Sequence, residues 1–169
     1  MQNSPYLLYV NSFSKSYSMT GWRIGYVAAH APIIDACTRI HQYLIDCGTA
    51  FAQKGVVNLL RHPQRRAYLA EMRTEFAKRH GLWIEALSQC TNVQLPPSGG
   101  ALYLFSRIDY RGMSGWDFCQ TMLEEHHIVM VPGEIFGKEY GDHVRISFGQ
   151  NLQVQQAAAA KLVKILQRG

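Results

Sequence analysis

Five consecutive apolar residues near the start of the chain, Tyr6-Leu7-Leu8-Tyr9-Val10, set the first constraint on the fold. A strand with one wet face alternates apolar and polar residues. An unbroken apolar run reads instead as a strand buried on both faces, which favours a parallel or mixed sheet with helices around it. Arg23-Ile24-Gly25-Tyr26-Val27-Ala28 reads as a second strand, and Ser12 to Gly21 between them is a serine-rich, glycine-containing loop.

Helical periodicity follows. Pro32 suits the first turn of a helix, and Ile33, Ala36, Ile40, Tyr43 and Leu44 recur at helical spacing until Gly48 breaks the pattern. Ala50 to Leu60 is a further helix that stops near Pro63. From about Gln64 to Leu87, the residues Leu69, Met72, Phe76, Trp83 and Leu87 give one face of a long amphipathic helix. Glu75 and Arg79 form a favourable i,i+4 pair on its surface. Strand patterns then return at Asn92–Leu95, Ala101–Phe105, Ile128–Val131 and Val144–Phe148. In the last of these Val144, Ile146 and Phe148 share one face, and Arg145 and Ser147 the other. Two helices complete this part: Trp116–Glu125, with Phe118 beside Met122, and Leu152–Leu166, with Val154, Ala158, Leu162 and Ile165 inward. The fold class is α/β, with a boundary near residue 90.

Composition narrows the function classes. A chain that is 47% hydrophobic and 17% charged builds a core. No apolar run approaches the roughly 20 residues that span a bilayer. Met1 to Pro5 is polar without the basic cluster of a secretory signal. A cytoplasmic protein without a membrane partner is expected. The net charge of +5 is a mildly basic surface, or one suited to an anionic small molecule. Arg61-His62-Pro63-Gln64-Arg65-Arg66 reads as a solvated helix junction, not a nucleic-acid stripe. Cys37, Cys47, Cys90 and Cys119 form no C-x-x-C pair and read as buried thiols of a reducing compartment. His126-His127 points to opposite faces if extended, so no metal site is expected.

The segment Asn11 to Tyr26 carries the chemistry. It places hydroxyls, Lys15 and Arg23 on a loop at the end of the first strand. In open α/β sheets ligands gather outside the carboxyl ends of strands. A partly desolvated lysine there attacks a carbonyl as the free amine. Ser12, Ser14 and Arg23 could bind a phosphate through charge-assisted hydrogen bonds, and Gly21 and Gly25 would allow close backbone approach. By spacing alone, a solvated serine-rich loop with an ordinary surface lysine remains open.

The pattern S-x-S-K followed by G-x-R-x-G, with Arg23 eight residues after Lys15, resembles the pyridoxal-phosphate (PLP) lysine signature of class I and II aminotransferases. A second block, Val131-Pro132-Gly133, Phe136-Gly137 and Val144-Arg145-Ile146-Ser147-Phe148, resembles the family's P-G…F-G…R-x-S-F. A weaker third, Pro96-Pro97-Ser98-Gly99-Gly100-Ala101-Leu102-Tyr103, resembles a P-x-G-G-x segment bordering the substrate pocket, or is simply a turn before a strand.

The resemblance implies the end of a large PLP-binding domain with a mostly parallel sheet, plus the joining helix, over residues 1–90. It implies a small α/β carboxy-terminal domain over 91–169. Lys15 would hold PLP as a Schiff base, with Ser12, Ser14 and Arg23 on its phosphate. Arg145 would grip the substrate α-carboxylate, a role that suits a planar guanidinium; a structural ion pair within the sheet is its alternative. Tyr17 and Trp22 read as loop packing, and Asp35 and Asp46 as solvent-facing.

The implied activity is transfer of an amino group between an amino acid and a 2-oxo acid. A PLP-dependent lyase or synthase of the same fold, or a non-catalytic truncated module, is the alternative. The phosphate loop and the ring-binding aspartate of the family have no match in this chain. This piece alone is therefore expected to be weak or inactive, its first two strands short of their usual neighbours. A homodimer is expected at full length.

Overall fold

The structure, a computed structural model, describes residues 4–168; residues 1–3 of the polar start lie outside it. The fold is mixed α/β, and its contacts divide the chain into two compact units, Met1–Glu71 and Met72–Gly169.

In the first unit, strand β1 (Leu8–Ser12) pairs antiparallel with β2 (Gly25–Ala29), from Leu8 opposite Ala29 to Ser12 opposite Gly25. The antiparallel pairing differs from the parallel arrangement but is compatible with a mixed sheet, and the two strands stand without the further neighbours that burial on both faces needs. All five residues of β1 are exposed. Among the described residues the ribbon has no third strand, so its apolar side chains lack the layers that a continuous apolar run implies. The small core of this unit gathers Phe13, Met19 and Val56, with Tyr17, Ile24 and Leu59 packed on it.

Helix α1 (Ala31–Ile45) has Pro32 in its first turn and buries no residue. Tyr43 and Leu44, on the face expected to pack, are 93% and 75% exposed. Asp35 and Asp46 face solvent. Helix α2 (Ala50–Arg61) buries Ala52 and Val56. Helix α3 (Arg65–Leu87) follows. Of its expected inward face, Trp83 and Leu87 are buried, while Leu69, Met72 and Phe76 are half-buried.

The second unit is a four-stranded antiparallel sheet in the order β3-β4-β6-β5, formed by β3 (Val93–Gln94), β4 (Tyr103–Ile108), β5 (Val131–Pro132) and β6 (His143–Ser147). Strand alternation decides its two faces. Leu104, Ser106, Ile108, Val144 and Ile146 point into the core, and Tyr103, Phe105, Arg107, His143, Arg145 and Ser147 point the other way. Helices α4 (Gly115–His126) and α5 (Leu152–Leu166) bring Phe118, Met122, Ala159 and Leu162 to the same core as Trp83 and Leu87. Both helices begin with a side-chain cap: Ser114 accepts from the Asp117 N–H, and Asn151 from the Val154 N–H at 2.9 Å.

The inward face of α5 differs from the expected one. Val154 is exposed and Gln155 is buried. The cause is polar: the Trp83 indole Nε1 donates to Gln155 Oε1 at 2.6 Å, which satisfies two groups that would be costly to bury alone. The cysteine reading is corrected in part as well. Cys90 and Cys119 are buried, but Cys37 and Cys47 are exposed, because they lie on and just after the uncovered helix α1. Burial pushes the Cys119 thiol up to about 11.

Candidate functional site

The Ser12–Arg23 segment is a tight excursion between the two strands. Phe13 N–H donates to the Ile24 carbonyl at 3.2 Å, closing the base of the loop. Tyr17 N–H donates to the Phe13 carbonyl at 3.2 Å, and Ser18 N–H to the Lys15 carbonyl at 3.3 Å, so residues 13–18 coil as one turn. The aromatic ring of Phe13 anchors the turn, 5.7 Å from Tyr17 and 5.6 Å from Tyr26. A 3-10 turn, Thr20–Trp22, leads to Arg23, which adopts the left-handed conformation at φ 51°. That conformation costs a non-glycine residue about 1 kcal/mol, and the Arg23 guanidinium returns a hydrogen bond to the Thr20 carbonyl at 3.2 Å.

Gly25 is required by close approach: a Cβ there would lie 2.8 Å from the Asn11 carbonyl oxygen across the ribbon. Gly21 has open space around it. Trp22 packs against Gly55 and lies 6.4 Å from Phe51.

Ser12, Lys15 and Arg23 are exposed and Ser14 is half-buried. The Lys15 amine has no hydrogen-bond or ion-pair partner among the described residues. Helix α2 packs against the loop through Val56 and Leu59 on Phe13 and Met19, and the Lys15 side chain lies on the exposed side.

Arg145 stands at the middle of β6, opposite Phe105 of β4 on one side and Val131 of β5 on the other. It is half-buried on the outward face of the sheet. Its guanidinium carbon lies 4.5 Å from the centre of the Tyr103 ring and 5.1 Å from that of Phe136. Its Nε is buried with no hydrogen-bond partner, and no carboxylate among the described residues pairs with it. The alternative of a structural ion pair is therefore not what the sheet contains.

Phe105 meets Phe136 edge-on at 5.6 Å and stacks on His143 at 5.2 Å. His143 Nδ1 lies 2.6 Å from Asp142 Oδ1, and Asp142 also receives the Arg107 guanidinium. Burial by itself raises the Asp142 carboxyl, but the hydrogen bonds and charges of Arg107 and His143 outweigh it and hold the group below the usual carboxylate range.

The Pro96–Tyr103 segment forms a turn in which Ser98 Oγ donates to the Gly100 carbonyl at 3.1 Å. The left-handed position is taken by Ala101, at φ 67°, not by either neighbouring glycine.

Sequence reasoning found Arg145 but missed the rings around it. Tyr103 and Phe105 were accessible to it, since alternation along β4 puts both on the outward face. Phe136 was named through the F-G part of the second block, but its place beside Arg145 was not legible, because it comes from a 3-10 turn, Gly133–Phe136, that no periodicity marks.

The sequence profile of the family described as aminotransferase class I and II matches residues 1–161. An aspartate aminotransferase of Pyrococcus horikoshii is 32% identical over 157 residues, covering 93% of this chain and 40% of that protein. The aromatic-amino-acid aminotransferase 2 of Thermococcus litoralis is also 32% identical, with the same coverage. The crystal structure of an aromatic aminotransferase from Pyrococcus horikoshii OT3 superposes with a TM-score of 0.89 at 32% identity, covering 95% of this chain and 43% of that one. The chain thus spans about 40% of the length of the curated relatives it matches. With both motif blocks in order and a profile match over nearly its whole length, the chain belongs to the aminotransferase class I and II family.

Proposed function

We propose that this chain is part of a PLP-dependent aminotransferase that moves an amino group from an amino acid to a 2-oxo acid. The observation that carries the reading is Arg145: a half-buried guanidinium on the outward face of a sheet, with a buried Nε that nothing among the described residues satisfies. An unpaired buried donor of this kind costs about 1–3 kcal/mol, and a bidentate carboxylate removes that cost. The α-carboxylate common to amino and 2-oxo acids is the matching ligand.

The donor set of the segment from Ser12 to Arg23 suits PLP: two hydroxyls, a primary amine without a partner among the described residues, and a guanidinium. Ser12, Ser14 and Arg23 would hold the phosphate. PLP, when bound, supplies an electron sink for charge developing at the amino-acid Cα. The Lys15 amine would bind the cofactor and, once released, take the proton from Cα as general base and return it as general acid. Arg145 would fix the orientation of the substrate through its carboxylate.

The remaining readings are proposals of the same kind. Residues 1–90 would serve as the end of the large domain and the joining helix, and 91–169 as the small domain. By contacts the carboxy-terminal part of α3 goes with the second unit, because Trp83 and Leu87 lie in its core. The exposed apolar face of α1 supports a homodimer of the complete protein. The exposed thiols Cys37 and Cys47 suit the reducing cytoplasm.

The test is amino-acid profiling of the complete gene product with PLP. Formation of a 2-oxo acid that requires a second 2-oxo acid as acceptor, and that falls sharply in Arg145→Lys, supports the reading. Release of free ammonia or a lyase product without an acceptor overturns it in favour of a lyase of the same fold.

A further inference from the structure

The outward face of the second unit's sheet holds Arg145 in a way that a simple carboxylate grip does not require. Three facts stand together. The guanidinium is flanked by two rings, Tyr103 at 4.5 Å and Phe136 at 5.1 Å. No carboxylate among the described residues pairs with it, and its Nε has no partner. Phe136, 47% exposed and on a turn of only four residues, is nonetheless backed by a second layer. In that layer Phe105 meets Phe136 edge-on at 86°, and His143 stacks on Phe105 at 25°.

An aromatic face attracts a cation through its quadrupole while leaving the N–H donors in the guanidinium plane free. A fixed aspartate or glutamate would hold the arginine equally well but would occupy those donors and repel an incoming carboxylate. Holding by rings keeps the group both immobile and available. The turn that presents Phe136 is itself fixed to β6. Gly133 packs so closely on the Tyr140 carbonyl and on His143 that a Cβ there has no room.

We propose that Tyr103 and Phe136 are positioning residues that hold the Arg145 guanidinium ready for a ligand carboxylate, with Phe105 and His143 bracing Phe136 from behind. This deepens the reading of Arg145 given above and rests on it. The rings do not touch the ligand in this account; they act by limiting the orientations of Arg145 before the ligand arrives. Losing one ring contact of this strength weakens carboxylate binding by about three- to tenfold.

The experiment uses the 169-residue chain, with acetate as probe and the Arg145 Nε–Hε signal followed by NMR. Phe136→Leu and Tyr103→Leu remove a ring; Phe136→Tyr and Tyr103→Phe keep one. The Trp83 indole signal, hydrogen-bonded in the core, reports that each variant is folded. The leucine variants are expected to lose the ring-current displacement of the Arg145 signal and to bind acetate about three- to tenfold more weakly. The ring-keeping variants are expected to match the parent chain. If the leucine variants bind acetate like the parent while Arg145→Lys abolishes binding, the clamp is wrong and the carboxylate role of Arg145 stands. If Arg145→Lys leaves acetate binding unchanged, the carboxylate role fails and takes the clamp with it.

Discussion

Replacing Gln155 by leucine probes the one polar contact at the heart of the second unit. Gln155 and Trp83 are 3% and 2% exposed, and the bond between them is 2.6 Å long. Leucine fills a similar volume but leaves the indole N–H buried without an acceptor, at a cost of about 1–3 kcal/mol. Added apolar burial offsets about 1 kcal/mol of that, for a net loss of up to about 2 kcal/mol. Trp83→Phe removes the donor instead, strands the Gln155 carbonyl and leaves a cavity, costing about 2–3 kcal/mol. In the double variant no polar group is stranded on the indole side or the amide side. Its loss should therefore fall short of the sum of the single losses by about 1–2 kcal/mol. The assay is native-state hydrogen exchange of the amides of the buried residues Ile108 and Phe148, which donate to the Asp142 and Leu102 carbonyls and report opening of this unit. Losses that add to within about 0.5 kcal/mol would refute the coupling.

Two further outcomes follow from the geometry. Gly25→Ala drives a Cβ to 2.8 Å from the Asn11 carbonyl oxygen, and overpacking against backbone should cost about 1–3 kcal/mol. Faster exchange of the β1 and β2 amides is expected, and unchanged protection would contradict the close approach. The Asp142 carboxyl titrates below its ordinary value in the folded chain. Its contribution is therefore complete above about pH 4 and fades as pH falls through the lower folded value. Asp142→Asn should accordingly be less stable than the parent at neutral pH and converge with it in acid. A stability gap that stays constant with pH would count against the Arg107–Asp142–His143 arrangement.

What the sequence made legible depended on how local the deciding physics was. The faces of β6 were readable because Val144, Ile146 and Phe148 alternate with Arg145 and Ser147 within five residues, and one buried face fixes that phase. The helix boundaries at Pro32 and near Pro63 were readable from backbone chemistry for the same reason. The run Tyr6–Val10 records a preference for burial, not the presence of layers to supply it; β1 forms where the run predicts a strand but lies exposed in a two-stranded ribbon, short of neighbours as expected. The inward face of α5 was misplaced because Gln155 is buried by a hydrogen bond to Trp83, 72 residues away in sequence, and no periodicity encodes that. At the site, Lys15, Arg23 and Arg145 stood out by motif. Alternation places Tyr103 on the same face as Arg145, but the approach of Phe136 depends on the course of the 133–136 turn, which only the folded chain displays.

Reductive trapping tests the central claim most directly. The complete gene product is loaded with PLP, treated with borohydride, digested, and its peptides are weighed. A phosphopyridoxyl group on Lys15, lost in Lys15→Ala, is the result the account predicts. Label on another lysine, or none on a protein that still converts amino acids to 2-oxo acids, would contradict it.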